Sequence, residues 1–243
     1  MSQDTQPECW QVLPENAAPV SQPLVKHVYT ADPSAHVFNG KIYIYPSHDI
    51  DAGIEFNDNG DHFAMCDYHV FSMDESALEK LGTTDVQSQV VDHGVALHVD
   101  DVPWASRQMW APDAAHKDGV YYFYFPARNH EGMFQIGVAS ASTPEGPFTA
   151  EPLPIEGSYS IDPAVFQDGD DYYLYFGGLW GGQLQCYRNN TFGDSHAEPE
   201  AAEQSLNPLV ARLSDDMKNF AEAPRELVIV DENGEPLLAG DER

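Results

Sequence analysis

One motif occurs three times along this chain, and its recurrence is the feature that most limits the folds available to the sequence. The copies are ADPSAHVFNGKIYIYPS at 31–47, WAPDAAHKDGVYYFYFPA at 110–127 and SIDPAVFQDGDDYYLYFGG at 160–178. Each copy joins an aspartate beside a proline to a short apolar run, an Asn-Gly or Asp-Gly pair and a tyrosine-rich run. Alternating apolar residues on both sides of such a pair are a strong β-hairpin signal. The sequence therefore predicts three related hairpins.

More strand signals follow each hairpin, so each copy opens a unit of several antiparallel strands. In the third unit the next strand pair is predicted within GQLQCYRNN at 182–190. Eighteen glycines and eighteen prolines interrupt the apolar runs, and ESALEKLG at 75–82 is the best short helix candidate. A β-sandwich would also consist of short alternating strands, but it gives no reason for one motif to recur. Repeated multi-strand units are typical of a β-propeller.

The predicted fold is therefore all-β, an incomplete propeller at 29–243 that follows an N-terminal extension at 1–28. The predicted blades lie at about 29–104, 105–156 and 157–230. In a propeller the innermost strand of each blade lines the central channel. Because Asp32, Asp113 and Asp162 precede or open these strands in the three copies, the repeat predicts that the three acids converge on one mouth of the channel.

The charge of the chain excludes some classes of partner. Lys and Arg number 11 against 40 Asp and Glu, which gives a formal net charge of −29. A surface of that sign repels nucleic acid and anionic membranes, but it does not repel a neutral polysaccharide. Since the acids are spread along the chain, the excess indicates a solvated surface suited to high salt rather than a specific cation site. We therefore expect a halotolerant protein.

The cysteines and the N-terminus bear on the cellular compartment. Cys9, Cys66 and Cys186 are odd in number and far apart, so they indicate neither a disulfide framework nor a zinc site. The first twenty residues contain no basic segment followed by an apolar one, and no apolar run in the chain is long enough for a membrane span. A cytoplasmic protein is expected, or a secreted one whose signal peptide has been removed.

In these motifs the sequence resembles glycoside hydrolase family 43, which consists of five-bladed propeller enzymes acting on xylosides, arabinofuranosides and arabinans. The resemblance covers 31–182 and includes GLWGG, which closes the third copy. It implies that Asp32 is the general base and that Asp162 tunes and orients the proton donor. The implied reaction is an inverting hydrolysis, in which a base activates water while an acid on the opposite side protonates the leaving oxygen.

The resemblance also implies a pocket that binds an oligosaccharide. Trp110 and Trp180 are candidate platforms, since the face of a sugar stacks on an indole ring. Asp113, His48 and Asp49 are further candidates for substrate binding, although an aspartate beside a proline also serves as a turn residue. A metal site built from His48 and Asp49 is not predicted, because adjacent strand residues point to opposite faces.

Two functional groups of the family have no counterpart in the sequence. The family's general acid is a glutamate from the blade after the third copy, but no tyrosine-rich hairpin follows there, and Glu222 is expected to be solvated. The resemblance allows a structural ion such as calcium at the propeller axis, although the histidine that the family places beside it is not found, and the chemistry itself requires no cofactor. These differences predict a truncated enzyme with impaired activity, which forms a homo-oligomer through exposed blade flanks. The alternative is a non-catalytic carbohydrate-binding propeller.

Overall fold

The structure is a computed structural model that describes residues 23–80, 85–188, 190–193 and 198–241. Residues 1–22 of the predicted N-terminal extension lie outside the described residues. Within the described ranges the regular structure consists of β-strands and short 3-10 helices. No helix in those ranges is long and apolar enough to cross a membrane. Most of the helix candidate at 75–82 forms a 3-10 helix at Glu75–Lys80.

Sheet 1 is a four-stranded antiparallel meander. It is formed by β1 (Tyr29–Phe38), β2 (Lys41–Asp49), β3 (Asp67–Asp74) and β4 (Val91–His98), in that order. On β2 the buried Tyr43 and Tyr45 alternate with the less buried Ile42 and Ile44, as expected for a strand with one face on the core. Two further 3-10 helices, Val86–Gln89 and Val99–Asp101, flank β4.

Sheet 2 forms the middle of the molecule and contains its longest buried strand. The strands are β5 (Ala105–Arg107), β6 (Asp113–Lys117), β7 (Val120–Asn129), β8 (Phe134–Ala141) and β9 (Thr149–Ala150). Both β5 and β6 pair with β7, at its two ends, and β8 and β9 follow on its other edge. Nine of the ten residues of β7 are buried, which indicates that both faces of this sheet are covered.

Sheet 3 follows the order β10 (Ala164–Asp168), β11 (Asp171–Phe176), β14 (Leu209–Arg212) and β15 (Arg225–Glu226). The strand pair predicted within 182–190 is not part of this sheet. That segment contains the 3-10 helix Leu184–Cys186 and β12 (Tyr187–Arg188), which pairs with β13 (Thr191–Phe192) in a separate small hairpin. The prediction failed because a short apolar run does not reveal which strand it joins, and the third strand comes from a more distant segment.

The three predicted hairpins form, although the third has a different turn. Asn39-Gly40 and Asp118-Gly119 are two-residue loops in which both residues have positive φ, as a type I′ turn requires. In the third hairpin Asp168 pairs with Asp171, so the loop is Gly169-Asp170 and only its glycine has positive φ. Glycine at the first loop position suits a type II′ turn, which explains the shift by one residue.

The three sheets pack side by side as blades of a β-propeller, which confirms the predicted fold class. The inner strand β6 lies between the inner strands β1 and β10. On β7, Phe123 and Phe125 pack into a core shared with sheet 1, whereas Tyr122 and Tyr124 pack into a core shared with sheet 3. The sheets lie within the three ranges that the sequence predicts as blades. This arrangement brings the starts of the inner strands to one end of the blades.

Candidate active site

A cavity of about 560 Å³ lies where the segments leading into the inner strands meet. That volume is within the range of small-molecule sites. Its lining comes from all three blades and from the loop between β2 and β3. The residues are Ala31, Asp32, Asp49, Phe56, Asn57, Asp58, Gly60, His62, Phe63, Met65, Trp110, Ala111, Ile161, Asp162, Leu179, Trp180, Gly181 and Gly182. The convergence predicted for Asp32 and Asp162 is therefore present, across 130 positions of sequence.

Asp32 and Asp162 share an unusual backbone conformation. Their φ angles are 44° and 59°, and each precedes a proline. Positive φ is uncommon outside glycine, and a following proline narrows the choice of conformation further. At Asp32 the pairing of β1 with β2 is irregular between Ala31 and Ser34. Irregularities of this kind redirect a side chain out of the sheet pattern, and here the redirected carboxylate lines the cavity.

The negative charge of Asp32 affects the ionisation of two other carboxylates in the cavity. Enclosure by protein, together with the nearby charge of Asp32, raises the pKa of Asp162 to about 6. The pKa of Asp49 is also raised, mainly by burial, while a hydrogen bond from Ser47 acts in the opposite direction and Asp32 adds to the rise. Burial and a like charge both disfavour the ionised form. Such shifts are typical of functional sites.

Trp110 forms a rigid part of the cavity wall. Its indole Nε1 donates a hydrogen bond to the carbonyl oxygen of Phe63 at 2.7 Å. The far edge of the ring lies against Gly60 and Gly181, where an added Cβ would be only 2.5 and 3.0 Å from the ring carbon Cη2. The ring of Phe134 also packs on it, with a centroid distance of 4.6 Å. The indole is thus fixed by contacts on several sides, as a stacking platform for a sugar requires.

Trp180 also lines the cavity but is held less tightly. It opens the 3-10 helix Trp180–Gly182, and 63% of its surface is exposed. The glycines on both sides are required for packing, since a Cβ at Gly178 or Gly182 would lie within 2.7 Å of the side chain of Ile161. The glycine-rich turn therefore packs closely against Ile161, the residue before Asp162.

Asp113 does not line the cavity, and the structure does not support its assignment to substrate binding. It is 6% exposed, and both of its carboxylate oxygens have protein partners. Oδ1 accepts from the backbone N–H of Ala114 at 2.8 Å and lies 2.6 Å from Nε2 of His36, while Oδ2 accepts from the N–H of Val165 at 2.6 Å. Asp113 thus joins the inner strands of three blades. A proline precedes this aspartate in the second copy, whereas one follows it in the other two, and this difference signals its different position.

His48 also lies outside the cavity lining, whereas the adjacent Asp49 belongs to it. The Nδ1 atom of His48 lies 2.5 Å from Oδ1 of Asp67 on β3. This difference follows from the alternation of strand side chains. Of the five residues proposed for substrate binding, the structure therefore brings Asp49, Trp110 and Trp180 to the cavity, but not His48 or Asp113.

Sequence reasoning missed the loop between β2 and β3. This loop contributes Phe56, Asn57, Asp58 and Phe63 to the cavity, and its residues show no hydrophobic period that would have indicated a wall. The buried guanidinium of Arg128 fixes the loop, donating to both the backbone and the side-chain oxygen of Asn59 at 2.7 and 2.9 Å. No glutamate is among the residues that line the cavity in the described part of the chain.

Glu222 is exposed, as the sequence predicts, and lies on the outer side of the third blade. Its Oε1 accepts from the backbone N–H of Arg212 at 3.2 Å. The structure therefore does not bring this glutamate to the cavity.

Comparison with known proteins gives a consistent family. Residues 90–229 match the model for glycosyl hydrolases family 43. A xylosidase/arabinosidase from Humicola insolens is 60% identical over 227 residues, which are 90% of this chain and 67% of that protein. A xylosidase/arabinosidase from Bacteroides ovatus is 56% identical over 219 residues, covering 90% of this chain and 65% of the relative.

Solved structures show the same relationship. One similar structure is a family 43 β-xylosidase/α-arabinofuranosidase from a compost metagenome, in complex with xylotriose and in a calcium-free form. It superimposes with a TM-score of 0.84 at 54% identity, and the match covers 93% of this chain and 67% of that one. A family 43 enzyme from Xanthomonas citri complexed with xylotriose gives a TM-score of 0.80 at 56% identity, over 91% and 62% of the two chains. The chain thus spans about two thirds of the length of these proteins. It belongs to glycoside hydrolase family 43.

Proposed function

We propose that this chain carries the part of a glycosidase site that contains the general base. The complete site acts on β-xylosides and α-L-arabinofuranosides with inversion of configuration. The observation that supports this most directly is the convergence of Asp32 and Asp162 on one cavity beside the fixed indole of Trp110. Relatives at 50–60% identity are named as xylosidases or arabinosidases, and two similar structures hold xylotriose. An uncharged sugar is also compatible with the net charge of −29.

Each residue has a distinct role in the proposed reaction. Asp32 accepts a proton from the water that attacks the anomeric carbon, and Trp110 holds the sugar ring by stacking on it. The carboxyl of Asp162, whose pKa is raised to about 6, lies close enough to Asp32 for their charges to interact. In an inverting reaction the proton donor faces the base across about 6.5–9.5 Å, and a carboxylate near that donor raises its pKa. Asp162 supplies such a charge at neutral pH.

The proton donor is the missing part. Among the described residues no glutamate lines the cavity, so none of them supplies the glutamate that the family uses as proton donor. Loss of general acid catalysis costs roughly 10²- to 10⁴-fold in rate. We therefore expect the 243-residue chain alone to hydrolyse aryl xylosides and aryl arabinofuranosides slowly, compared with a full-length relative such as the Humicola insolens protein.

The test combines turnover with saccharide binding. Hydrolysis of both aryl glycosides is measured for the chain and for Asp32→Ala, with the exposed, distant Asp231→Asn as the control, and the anomer first released is identified by proton NMR. Binding of xylotriose is measured by calorimetry for the chain and for Trp110→Ala. We expect turnover to depend on Asp32 and binding to depend on Trp110. If xylotriose binding depends on Trp110 but hydrolysis is unchanged in Asp32→Ala, the non-catalytic propeller is favoured. If the chain neither hydrolyses the aryl glycosides nor binds xylotriose, the proposal is overturned.

A further inference from the structure

Histidine and aspartate side chains cluster on the face of sheet 1 that is turned away from sheet 2. On β3, Tyr68 and Val70 point into the core between the two sheets, so the alternating Asp67 and His69 lie on the opposite face. His48, next to Asp67 on β2, completes the group. None of these three residues lines the sugar cavity, and the proposed hydrolysis does not use them.

The three side chains are close enough to share an ion. One possible ligand atom from each of His48, Asp67 and His69 lies within 4.8 Å of the other two. Ligand atoms around a tetrahedral zinc ion, at about 2.0–2.2 Å from the metal, are about 3.3 Å apart. Nδ1 of His48 and Oδ1 of Asp67 already lie 2.5 Å from each other. Small rotations of the side chains therefore bring the group to coordination distances.

A second aspartate, Asp92, orients the imidazole ring of His69. Nδ1 of His69 lies 3.0 Å from Oδ1 of Asp92 on β4. When the Nδ1 proton is directed at Asp92, Nε2 of His69 carries the lone pair that a metal ligand needs. Carboxylates commonly orient metal-bound histidines in this way and increase their basicity. Asp92 is itself fixed, since its Oδ1 accepts from the N–H of Gly94 at 2.8 Å and its Oδ2 lies 2.6 Å from Nε2 of His27.

We propose that His48, Asp67 and His69 form a binding site for a divalent transition-metal ion such as zinc, on the outer face of the first blade. Two imidazoles and one carboxylate suit zinc and its neighbours in the first transition row. Calcium and magnesium prefer ligand sets made of oxygen atoms, so they are poor occupants of this site. The positive charge of the ion offsets the negative charges of Asp67 and Asp92, whose side chains are largely buried there. This is favourable in a protein whose net charge is −29.

A second group of possible metal ligands lies next to the proposed site and serves as the control for it. Cys66, Asp67 and His98 also come within 4.8 Å of one another, and they share Asp67 with the proposed site. However, Nδ1 of His98 accepts a hydrogen bond from the backbone N–H of Asp100 at 3.1 Å. That lone pair is therefore already engaged in capping the 3-10 helix Val99–Asp101. We assign the ion to the histidine pair for this reason.

The test uses tag-free chain that has been stripped with a chelator and then titrated with zinc by calorimetry. We expect one equivalent to bind with a dissociation constant in the micromolar range or below, and zinc to raise the melting temperature, because an ion that binds only the native state stabilises it. His48→Gln and His69→Gln should each weaken binding at least tenfold. His98→Gln and Cys66→Ser should leave it unchanged. Circular dichroism shows whether each variant is folded.

Cobalt gives a readout that does not depend on any variant. Cobalt bound by two imidazoles and a carboxylate shows only weak visible bands, whereas a thiolate ligand adds an intense charge-transfer band in the near ultraviolet. We expect the visible bands without the charge-transfer band. Absence of saturable zinc binding would overturn the proposal. So would a thiolate band, or zinc binding that is lost in Cys66→Ser and retained in both histidine variants.

Discussion

Asp32 and Asp162 occupy a backbone conformation that costs free energy. A residue other than glycine at positive φ is destabilised by about 1–3 kcal/mol, and such residues persist where the surrounding structure imposes them. Both aspartates are followed by proline, and both carboxylates reach the same cavity. The same conformation at corresponding positions of two blades indicates that the repeat supplies the geometry, and that the cavity is where the geometry is used.

The effect of the Asp32 charge should be measurable as a change in the pKa of Asp162. We expect Asp32→Asn to lower the pKa of Asp162 from about 6, because the neutral amide no longer disfavours a second negative charge. Enclosure by protein remains, so the pKa should stay above that of a free aspartate. Carbon NMR of labelled aspartate carboxyl groups gives the titration curve. Asp58→Asn is the matched control, since Asp58 also lines the cavity but is not among the groups that shift Asp162. Equal titration of Asp162 in both variants would contradict the coupling.

Asp113 should matter for stability. Its buried carboxylate accepts from the N–H groups of Ala114 and Val165 and pairs with His36. Breaking one side of such a buried network leaves polar groups without partners and costs about 3–5 kcal/mol. We expect Asp113→Ala to lower the free energy of unfolding by about that amount in urea denaturation.

Asp231→Ala is the comparison for Asp113→Ala. Asp231 also accepts backbone N–H hydrogen bonds, from Asn233 and Glu235, but in an exposed turn. Asp231→Ala should therefore lower the free energy of unfolding much less than Asp113→Ala does. Equal losses in the two variants would argue against the joining role of Asp113.

At the scale of elements, the sequence was most informative where one local signal determines the structure. Asn39-Gly40 and Asp118-Gly119 form the predicted turns because positive φ at two successive positions favours these residue pairs. The third hairpin kept its strands but shifted its turn, since GD and DG both provide a glycine within one residue of the required position. Non-local features were not predictable in this way, such as the joining of β14 to β11 across an insertion of more than 30 residues.

The loop between β2 and β3 shows the same limit within the candidate site. Its contribution depends on Arg128, which lies 69 positions after Asn59, and on the fit of Gly60 against Trp110. Neither contact has a local sequence signal. The acids could be found because they recur in a repeated motif, whereas the wall that completes the cavity is specific to this loop.

Two glycines of this loop allow a controlled test of the wall. Gly60 and Gly53 both have positive φ, at 73° and 63°, but a Cβ at Gly60 would lie 2.5 Å from the ring of Trp110, whereas Gly53 has nothing within 4 Å. Both alanine variants carry the backbone strain of positive φ. Only Gly60→Ala should also displace the indole, so we expect it to weaken xylotriose binding by at least tenfold while Gly53→Ala leaves binding near the parent value. Calorimetry measures both, and equal affinities would show that the position of Trp110 does not control binding.

At the scale of the whole molecule, the two outer faces of the blade array differ from the middle. Sheet 2 is covered on both sides by cores shared with its neighbours. Sheets 1 and 3 each share one such core with sheet 2, and among the described residues no buried core joins either of them to another four-stranded sheet. Apolar side chains are exposed on their strands, including Val37 and Val95 in sheet 1 and Phe166 in sheet 3, which are 55%, 50% and 58% exposed. Apolar side chains exposed on these faces favour association where they form a contiguous patch.

We expect the 243-residue chain to form a closed homo-oligomer, most simply a two-fold dimer, in which these faces cover each other. The net charge of −29 opposes indiscriminate aggregation, and added salt should favour the dimer because it screens the repulsion between two acidic subunits. Phe166→Glu should shift the equilibrium toward monomer. Leu153→Glu, at a residue that is 70% exposed in the segment after sheet 2, should have no such effect. Sedimentation equilibrium at low and high salt measures the change, with binding of a hydrophobic dye as a second readout. A monodisperse monomer at micromolar concentration in high salt, with no dye binding, would mean that these faces do not drive assembly.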